Sequence, residues 1–392
     1  MSCWATATTG STGAAGASQA RYPAANGADL IDLRGASFVS GAINGGAGFD
    51  TIRGGDFDDT ISGDGDNDVL RGGGGDDALS GGSGQDQLSG GAGDDTLDGG
   101  LDGDDLDGGD GNDVLFGGDG AAVVRGGAGD DQLVVDVTAT AWLALALGGA
   151  GNDTVQGGQI RDDIFGSDGD DLIYADAGGD SVEGGGGNDL LDLFNGNDTA
   201  KGGLGDDTVL GGAGADLIDG NGGEDSLDGG SENDTISGWS GRDTILGGFG
   251  NDVLEGGNDD VLLNGGSGGD AFRGGRGADV LIGDTDRDML TGGAGADVFV
   301  FALTSHSVVG VNADVINDFT RGSDLIDISA LAAVPFLFRA ANPFSGGGAA
   351  SVRFDVVGNV LTLRIDANGE AVADSEVVLS GVSVLAATDV LL

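Results

Sequence analysis

Residues 45–98 read GGAGFDTIR GGDFDDTIS GDGDNDVLR GGGGDDALS GGSGQDQLS GGAGDDTLD, six blocks of nine with no inserted residue. The blocks continue to Val134, making ten, and a second run of seventeen extends from Gly148 to Val300. Written G-G-x-G-x-D-x-U-x with U apolar, position six is Asp in 25 of the 27 blocks, Ala122 and Val261 being the exceptions. Position eight is Ile, Leu, Val or Phe in every block except that of Ala200. Such a period makes one small unit responsible for the whole architecture, so it is read before any secondary structure.

Nine residues suffice for one short strand and one turn. The glycine-rich first half supplies the turn, because glycine tolerates positive φ and lets neighbouring backbones approach. The last three residues are strand, with the eighth side chain inward and the seventh and ninth in solvent. Two nonads then close one flattened coil and the third stacks on the first. The expected fold is all-β, a parallel β-roll with two nonapeptides per coil, followed by an antiparallel β cap.

Composition narrows the field. The 392 residues include 86 Gly, 67 acidic and 15 basic residues and 3 Pro, for a net charge of -52. Collagen needs more proline and glycine at every third position, and a plain linker lacks regularly spaced Ile, Leu and Val. A charge of this size opposes any compact state, so folding requires cations. Nucleic acid is excluded as a general partner, since the acidic surface repels phosphate and Lys201 is the single lysine. Cys3 stands alone, so no intramolecular disulfide forms. The N-terminus lacks the basic start and apolar core of a Sec signal, and no apolar run is long enough for a transmembrane segment; VDVTATAWLALAL (135–147) is short and carries Asp136. A soluble protein is expected.

The cation these residues suit is calcium, a hard ion that takes six to eight oxygen ligands from carboxylates and turn carbonyls. In a roll, position-six aspartates two nonads apart share an edge in consecutive coils, so one ion fits between Asp50 and Asp68 and another between Asp59 and Asp77. The candidate ligands are Asp50, Asp59, Asp68, Asp77, Asp86, Asp95, Asp104, Asp113 and Asp131 in the first array. In the second they are Asp153, Asp162, Asp171, Asp180, Asp189, Asp198, Asp207, Asp216, Asp225, Asp234, Asp243, Asp252, Asp270, Asp279, Asp288 and Asp297. Pairs with both aspartates present give about 20 Ca2+ sites, adding about +40 and leaving a net charge near roughly -12. Without metal, two carboxylates about 5 Å apart repel by roughly 1 kcal/mol in water and several times more at an effective dielectric near 20. Summed over the roll this exceeds the roughly 5–15 kcal/mol by which proteins are stable, so the apo chain is expected to be unfolded. The bland alternative, a solvated Asx turn, suits one repeat but not 25 aspartates in register. The nonads of Ala122 and Val261 should be weak or empty, and Phe57 and Ile160, which replace a turn glycine, should make occupancy uneven.

The nonad resembles the RTX calcium-binding repeat, over residues 45–300 almost continuously. The resemblance implies a bacterial, secreted, extracellular protein that folds on meeting calcium. GGAGADVFVF (292–301), ADVINDFTRGSDLIDISAL (313–331) and RIDANGEAVADSEVVLSGV (364–382) resemble the C-terminal domain of serralysin proteases and other type I secreted RTX proteins. That likeness implies an uncleaved export signal read by a type I secretion apparatus, and Asp389-Val390-Leu391-Leu392 has its form, an acidic residue before apolar ones.

The remaining segments read as follows. Residues 1–25 are expected to be disordered and 26–44 to form metal-free capping rungs; 45–134 and 148–300 are the arrays. The 13 residues 135–147, around Trp142, shift the repeat register and should kink the roll. From 301 to 392 the chain alternates like antiparallel strands and caps the core. Asp366-Ala367-Asn368-Gly369 is read as a hairpin turn. Catalysis is not expected. A zinc protease site needs H-E-x-x-H, and His306 is the one histidine. Gly265 to Gly269 satisfies G-x-S-x-G but lies in a repeat turn rather than a strand-to-helix elbow. A glycosidase pair has no cleft distinct from the repeat. The favoured reading is a non-catalytic secreted or surface protein with an unidentified cell-surface or matrix partner. The alternative is the calcium-binding and secretion module of an extracellular protease, lipase or alginate epimerase.

Overall fold

The computed structural model describes residues 26–34, 42–120, 122–135, 144–302, 309–310, 312–331, 350–368 and 372–391, with the backbone alone of 4–6, 22–23 and 337–338. By its contacts the chain divides into two compact units, Met1–Thr199 and Ala200–Leu392. Among the described residues no helix is long and apolar enough to cross a membrane.

In the first unit, the strand Ala78–Ser83 pairs in parallel with Thr60–Gly65 before it and Thr96–Leu101 after it, always 18 residues apart. The next strand along the chain, Gln87–Ala92, pairs with Val69–Gly74 and Asp105–Asp110 in a second sheet. Successive nonads therefore alternate between two parallel sheets. Position eight faces between them, and Ile52, Ile61, Leu70, Leu79, Leu88, Leu97, Leu106, Leu115, Val124 and Leu133 are all buried. At roughly 1.5–3 kcal/mol for each buried aliphatic side chain, this column is the main apolar contribution to the roll.

The strands are longer than the repeat suggests. Ala78–Ser83 takes positions seven to nine of one nonad and one to three of the next, so both glycines lie within the strand and the one at position two, Gly82, pairs with Gly100. The turn proper is confined to positions four to six. Positions two and four take positive φ, as at Gly82 and Gly84. Side chains that occupy these positions are held there too, among them Asp64, Asp66, Ser167 and Asp176.

The ladder crosses the interruption. Val123 lies opposite Leu145, Gly127 opposite Gly149 and Leu133 opposite Val155, each 22 residues apart. The expected register shift is thus one full rung plus four residues; Trp142 lies outside the described residues. Two short strands, Trp4–Thr6 and Tyr22–Pro23, fall within the segment read as disordered, and Leu30–Asp32 pairs with Thr51–Arg53 as the entering rung.

In the second unit the same roll runs through Leu217–Gly222, Thr235–Ser240, Val253–Asn258, Ala271–Arg276 and Met289–Ala294 on one sheet. Ser226–Ser231, Thr244–Phe249, Leu262–Ser267, Val280–Ile282 and Val298–Val300 form the other. Ala200, the weak member of the inward column, is buried as well. The cap corrects one expectation. Asp314–Ile316 and Leu325–Asp327, read as antiparallel strands, continue the parallel ladder on Met289–Ala294 and Val298–Val300. The cause is a retained triplet, Asp314-Val315-Ile316 and Asp324-Leu325-Ile326, which puts an aspartate at or just before the start of the strand and a buried Ile within it. Antiparallel pairing is confined to Ser351–Val357, Val360–Asp366 and Ser375–Ser380; the last rests in parallel on Asp314–Ile316.

Candidate metal centre

Each position-six aspartate ends a turn and begins a strand, which places its carboxylate inside the edge of the roll. All 25 are buried, none more than 3% exposed, so these are not solvated turn side chains. The main-chain N–H of Asp50 donates to Asp68 Oδ1 at 2.7 Å, and that of Asp68 to Asp86 Oδ1 at 2.7 Å. In both bonds the main-chain N–H reaches the carboxylate one coil onward.

The bonds form columns. In the first unit one column runs Asp29, Asp50, Asp68, Asp86, Asp104, breaks at Ala122, and resumes as Asp162, Asp180, Asp198. The other runs unbroken through Asp59, Asp77, Asp95, Asp113, Asp131, Asp153, Asp171 and Asp189, crossing the interruption by the bond from Asp131 to Asp153. In the second unit Asp207, Asp225 and Asp243 precede Val261, after which Asp279 and Asp297 lead to Asp324. Asp216, Asp234, Asp252, Asp270 and Asp288 lead to Asp314.

One oxygen of each carboxylate is therefore used. The other is not: Oδ2 of Asp50, Asp68, Asp77, Asp86, Asp95, Asp104 and Asp113 is buried with no hydrogen-bond partner, as is Oδ2 of Asp225, Asp234, Asp243, Asp252 and Asp270 in the second unit. That oxygen stands against the position-one glycine of its own nonad. A Cβ on Gly63 would lie closer than 3.0 Å both to Asp68 Oδ2 and to the carbonyl oxygen of Gly81 in the next coil; Gly81, Gly99 and Gly108 repeat the pattern. Position one is glycine because two acceptor oxygens take the space a side chain would fill. Leaving a buried acceptor unmatched costs roughly 1–3 kcal/mol, more when it is charged.

Among the described residues no group of three or more His, Cys, Asp and Glu is assembled for a metal. The oxygens that line each position, a buried carboxylate Oδ2 beside a main-chain carbonyl of the next coil, make an all-oxygen donor set that fits calcium and not zinc. Burial, and after it the carboxylates of adjacent coils, pushes Asp68, Asp77, Asp104 and Asp153 up to about 7, against the hydrogen bond from the preceding coil. Asp288 is pushed up to about 9, by burial first and by Asp314, Asp270 and Asp286 among its neighbours. Each needs either a proton or a cation.

The irregular nonads differ as their residues dictate. Val261 puts a methyl where the carboxylate would be, against Gly256, and Ala122 does the same against Gly117. In the nonads of Phe57 and Ile160 the aspartate turns back on its own turn, Gly55 N–H donating to Asp59 Oδ2 at 2.8 Å and Gly158 N–H to Asp162 Oδ2 at 2.7 Å.

Sequence reasoning missed a second ladder at position five. Asp58 Oδ1 accepts from Asp76 N–H, Asp76 from Asp94, Asp94 from Asn112, Asn112 from Asp130 and Asp130 from Asn152, at 2.8–3.0 Å. It runs opposite to the first, each side chain accepting from the coil that follows. The signal was the recurrence of Asp and Asn at a position written as x. Asp29, Asp314 and Asp324 were missed as well, because their spacings of 21, 26 and 27 residues are not multiples of nine.

His306 lies outside the described residues. Gly265 and Ser267 are in the strand Leu262–Ser267, which leads to a repeat turn and another strand, not to a helix. Asp366 ends a strand whose hairpin partner begins only at Ser375, so the connection is longer than a two-residue Asn-Gly turn; Gly369 lies outside the described residues. Asp389 is buried and bonded to Arg321, and Val390–Leu391 pairs with Leu325–Asp327.

Comparison with known proteins identifies the repeat. The family model for the RTX calcium-binding nonapeptide repeat matches residues 44–133, 146–191 and 193–299 in overlapping copies. Among solved structures the chain is similar to the AlgE6R3 subunit of the Azotobacter vinelandii mannuronan C5-epimerase, at 31% identity over 45% of this chain and 80% of that one, with a TM-score of 0.22. It is also similar to the extracellular lipase LipA of Serratia marcescens, at 16% identity over 64% of this chain and 40% of that one, with a TM-score of 0.24. No curated protein matches. With more than half of its length matched by that model and its aspartates ranked in buried columns, the chain belongs to the RTX calcium-binding nonapeptide repeat family.

Proposed function

We propose that calcium ions lodge between position-six aspartates of consecutive coils and that their binding folds the chain after export from a bacterial cell. The ligands are the 25 aspartates named from the sequence, with main-chain carbonyls of the turns completing each site. The observation that carries the reading is the buried, partnerless carboxylate oxygen repeated from coil to coil. Extracellular calcium modules work at about 10⁻⁴ to 10⁻³ M, well above cytosolic levels, so the same sites leave the chain unfolded inside and fold it outside. The protein acts without catalysis, as a calcium-stabilised secreted or surface component whose C-terminus addresses it to a type I export apparatus. Residues 45–134 and 148–300 are the metal-binding arrays, 26–44 the entry and 301–392 the cap. Circular dichroism during a calcium titration tests the central step: a β spectrum should appear with calcium and vanish with chelator, and a spectrum indifferent to chelator would refute it.

A further inference from the structure

The outward side of one sheet in the first unit carries a recess of about 210 Å³. It lies over the strands Val69–Gly74, Gln87–Ala92 and Asp105–Asp110, whose alternate residues Leu70, Leu88 and Leu106 are buried in the core. Position nine of three consecutive coils crosses it as Arg71, Ser89 and Asp107, each opposite the next in register. The short side chain of Ser89 leaves the middle of that row open, and Gln87 borders the gap from position seven. At about 4.8 Å per rung, the main chains of Arg71 and Asp107 stand about 10 Å apart. The two poles of the row are unanswered. Among the described basic residues of the first unit, Arg34 and Arg53 pair with Asp32, Arg125 with Asp105 and Arg161 with Asp163, whereas Arg71 has no ion pair. An unpaired guanidinium stands out in a chain of net charge -52. On its other side Arg71 lies opposite Arg53, so that end of the recess is positive. At the far end Arg125 answers Asp105, and Asp107 is left as the negative pole.

We propose that this recess binds a free α-amino acid, its carboxylate on Arg71 and its ammonium on Asp107, with Gln87 and Ser89 hydrogen-bonding between them. A simple anion drawn to Arg71 meets the charge of Asp107, and a simple cation drawn to Asp107 meets those of Arg71 and Arg53. A ligand that carries both charges satisfies both ends. The guanidinium fork matches a carboxylate with two parallel N–H donors. The volume falls below the roughly 300–1,000 Å³ of sites for drug-sized ligands, which limits the occupant to a small molecule. Arg71 and Asp107 are exposed, so solvent screens both contacts and the affinity is weak, with a dissociation constant on the order of 1 mM. None of these residues is a position-six aspartate, and the site is separate from the edge columns.

The test uses the calcium-loaded full chain, L-alanine as the probe, and the main-chain amide resonances of Gln87 and Ser89 as the readout. L-Alanine should shift both saturably, and acetate and methylammonium should each bind about threefold more weakly or worse. Arg71→Gln and Asp107→Asn should each weaken L-alanine about threefold, while Arg161→Gln, which removes the same charge elsewhere, should leave it unchanged. Ser89→Phe keeps both poles and fills the gap between them, so it should abolish the shifts. All these positions face outward, and an unaltered β dichroism in calcium shows that each variant is folded. Shifts that acetate reproduces at equal concentration, that survive Ser89→Phe, or that never appear overturn the proposal. That outcome leaves the calcium reading of the repeats standing, because the ions and the amino acid use different residues.

Discussion

Asp95 and Asp104 are alike in sequence and unlike in their columns. Asp95 lies between Asp77 and Asp113 in the unbroken column, so Asp95→Ala takes a ligand from two positions. Asp104 accepts from Asp86 on one side and meets Ala122 on the other, so Asp104→Ala takes a ligand from one. Each substitution also strips one main-chain N–H of its acceptor, that of Asp77 or of Asp86, a cost common to both. With free calcium about a hundredfold above the dissociation constant, one ion contributes about 2.7 kcal/mol, so the two losses are roughly 5 and roughly 3 kcal/mol. Calorimetry should count two ions fewer in Asp95→Ala and one fewer in Asp104→Ala, and thermal melts in saturating calcium should rank them in that order. Equal stoichiometry in the two variants, or an undiminished count in both, would show that the ions do not sit between aspartates of consecutive coils.

Two further outcomes follow from the same columns. Val261→Asp restores a carboxylate between Asp243 and Asp279; it should raise the ion count by two and stabilise the calcium-loaded protein while weakening any residual structure in chelator. Acid should replace the metal in part. Asp68, Asp77 and Asp104 are pushed up to about 7 in the fold from an ordinary 3.8, so the proton favours the folded chain. That stabilisation is complete below about pH 4 and is lost as the pH rises through about 7, so in chelator the β signal should grow on acidification across this window and be least above it. A chelated chain whose dichroism is flat from about pH 7 to about pH 4 would contradict the assignment.

The parts of the fold that sequence revealed are those where one residue type answers one demand. Position eight must be apolar to fill the space between two sheets, and position six must carry a carboxylate at the edge, so the first persists through all 27 repetitions and the second through 25 of them. Strand length was hidden because Gly73, Gly82 and Gly100 contribute no side chain to read, although their main chains pair in the ladder. Positions two and four were misleading in the other direction. Trp239 at φ 68° and Phe194 at φ 62° hold a conformation that glycine prefers, because the neighbouring coils fix the backbone. The junction aspartates escaped because a triplet separated by 26 or 27 residues carries no period, and only the pairing shows that Asp314 and Asp324 occupy the places of two further position-six residues.

The basic residues show where neutralisation comes from. Arg53 pairs with Asp32, Arg125 with Asp105, Arg161 with Asp163 and Arg242 with Glu224, all on outward or partly exposed side chains. None of these pairs enters an edge column, where Asp68, Asp95 and Asp234 each keep an oxygen without a donor. A guanidinium is a planar fork of donors that must itself be desolvated, whereas the columns offer oxygens at every coil and no room for a side chain beside position one. Fifteen basic residues against 67 acidic ones could not fill such columns in any arrangement. A small divalent ion supplies two charges without a tether, and the same ion can be withheld until the chain reaches a compartment that contains it. On the function proposed above, the acidic excess makes folding conditional: a roll with its columns neutralised by arginine would be stable wherever it was made, whereas one that waits for a cation depends on its surroundings.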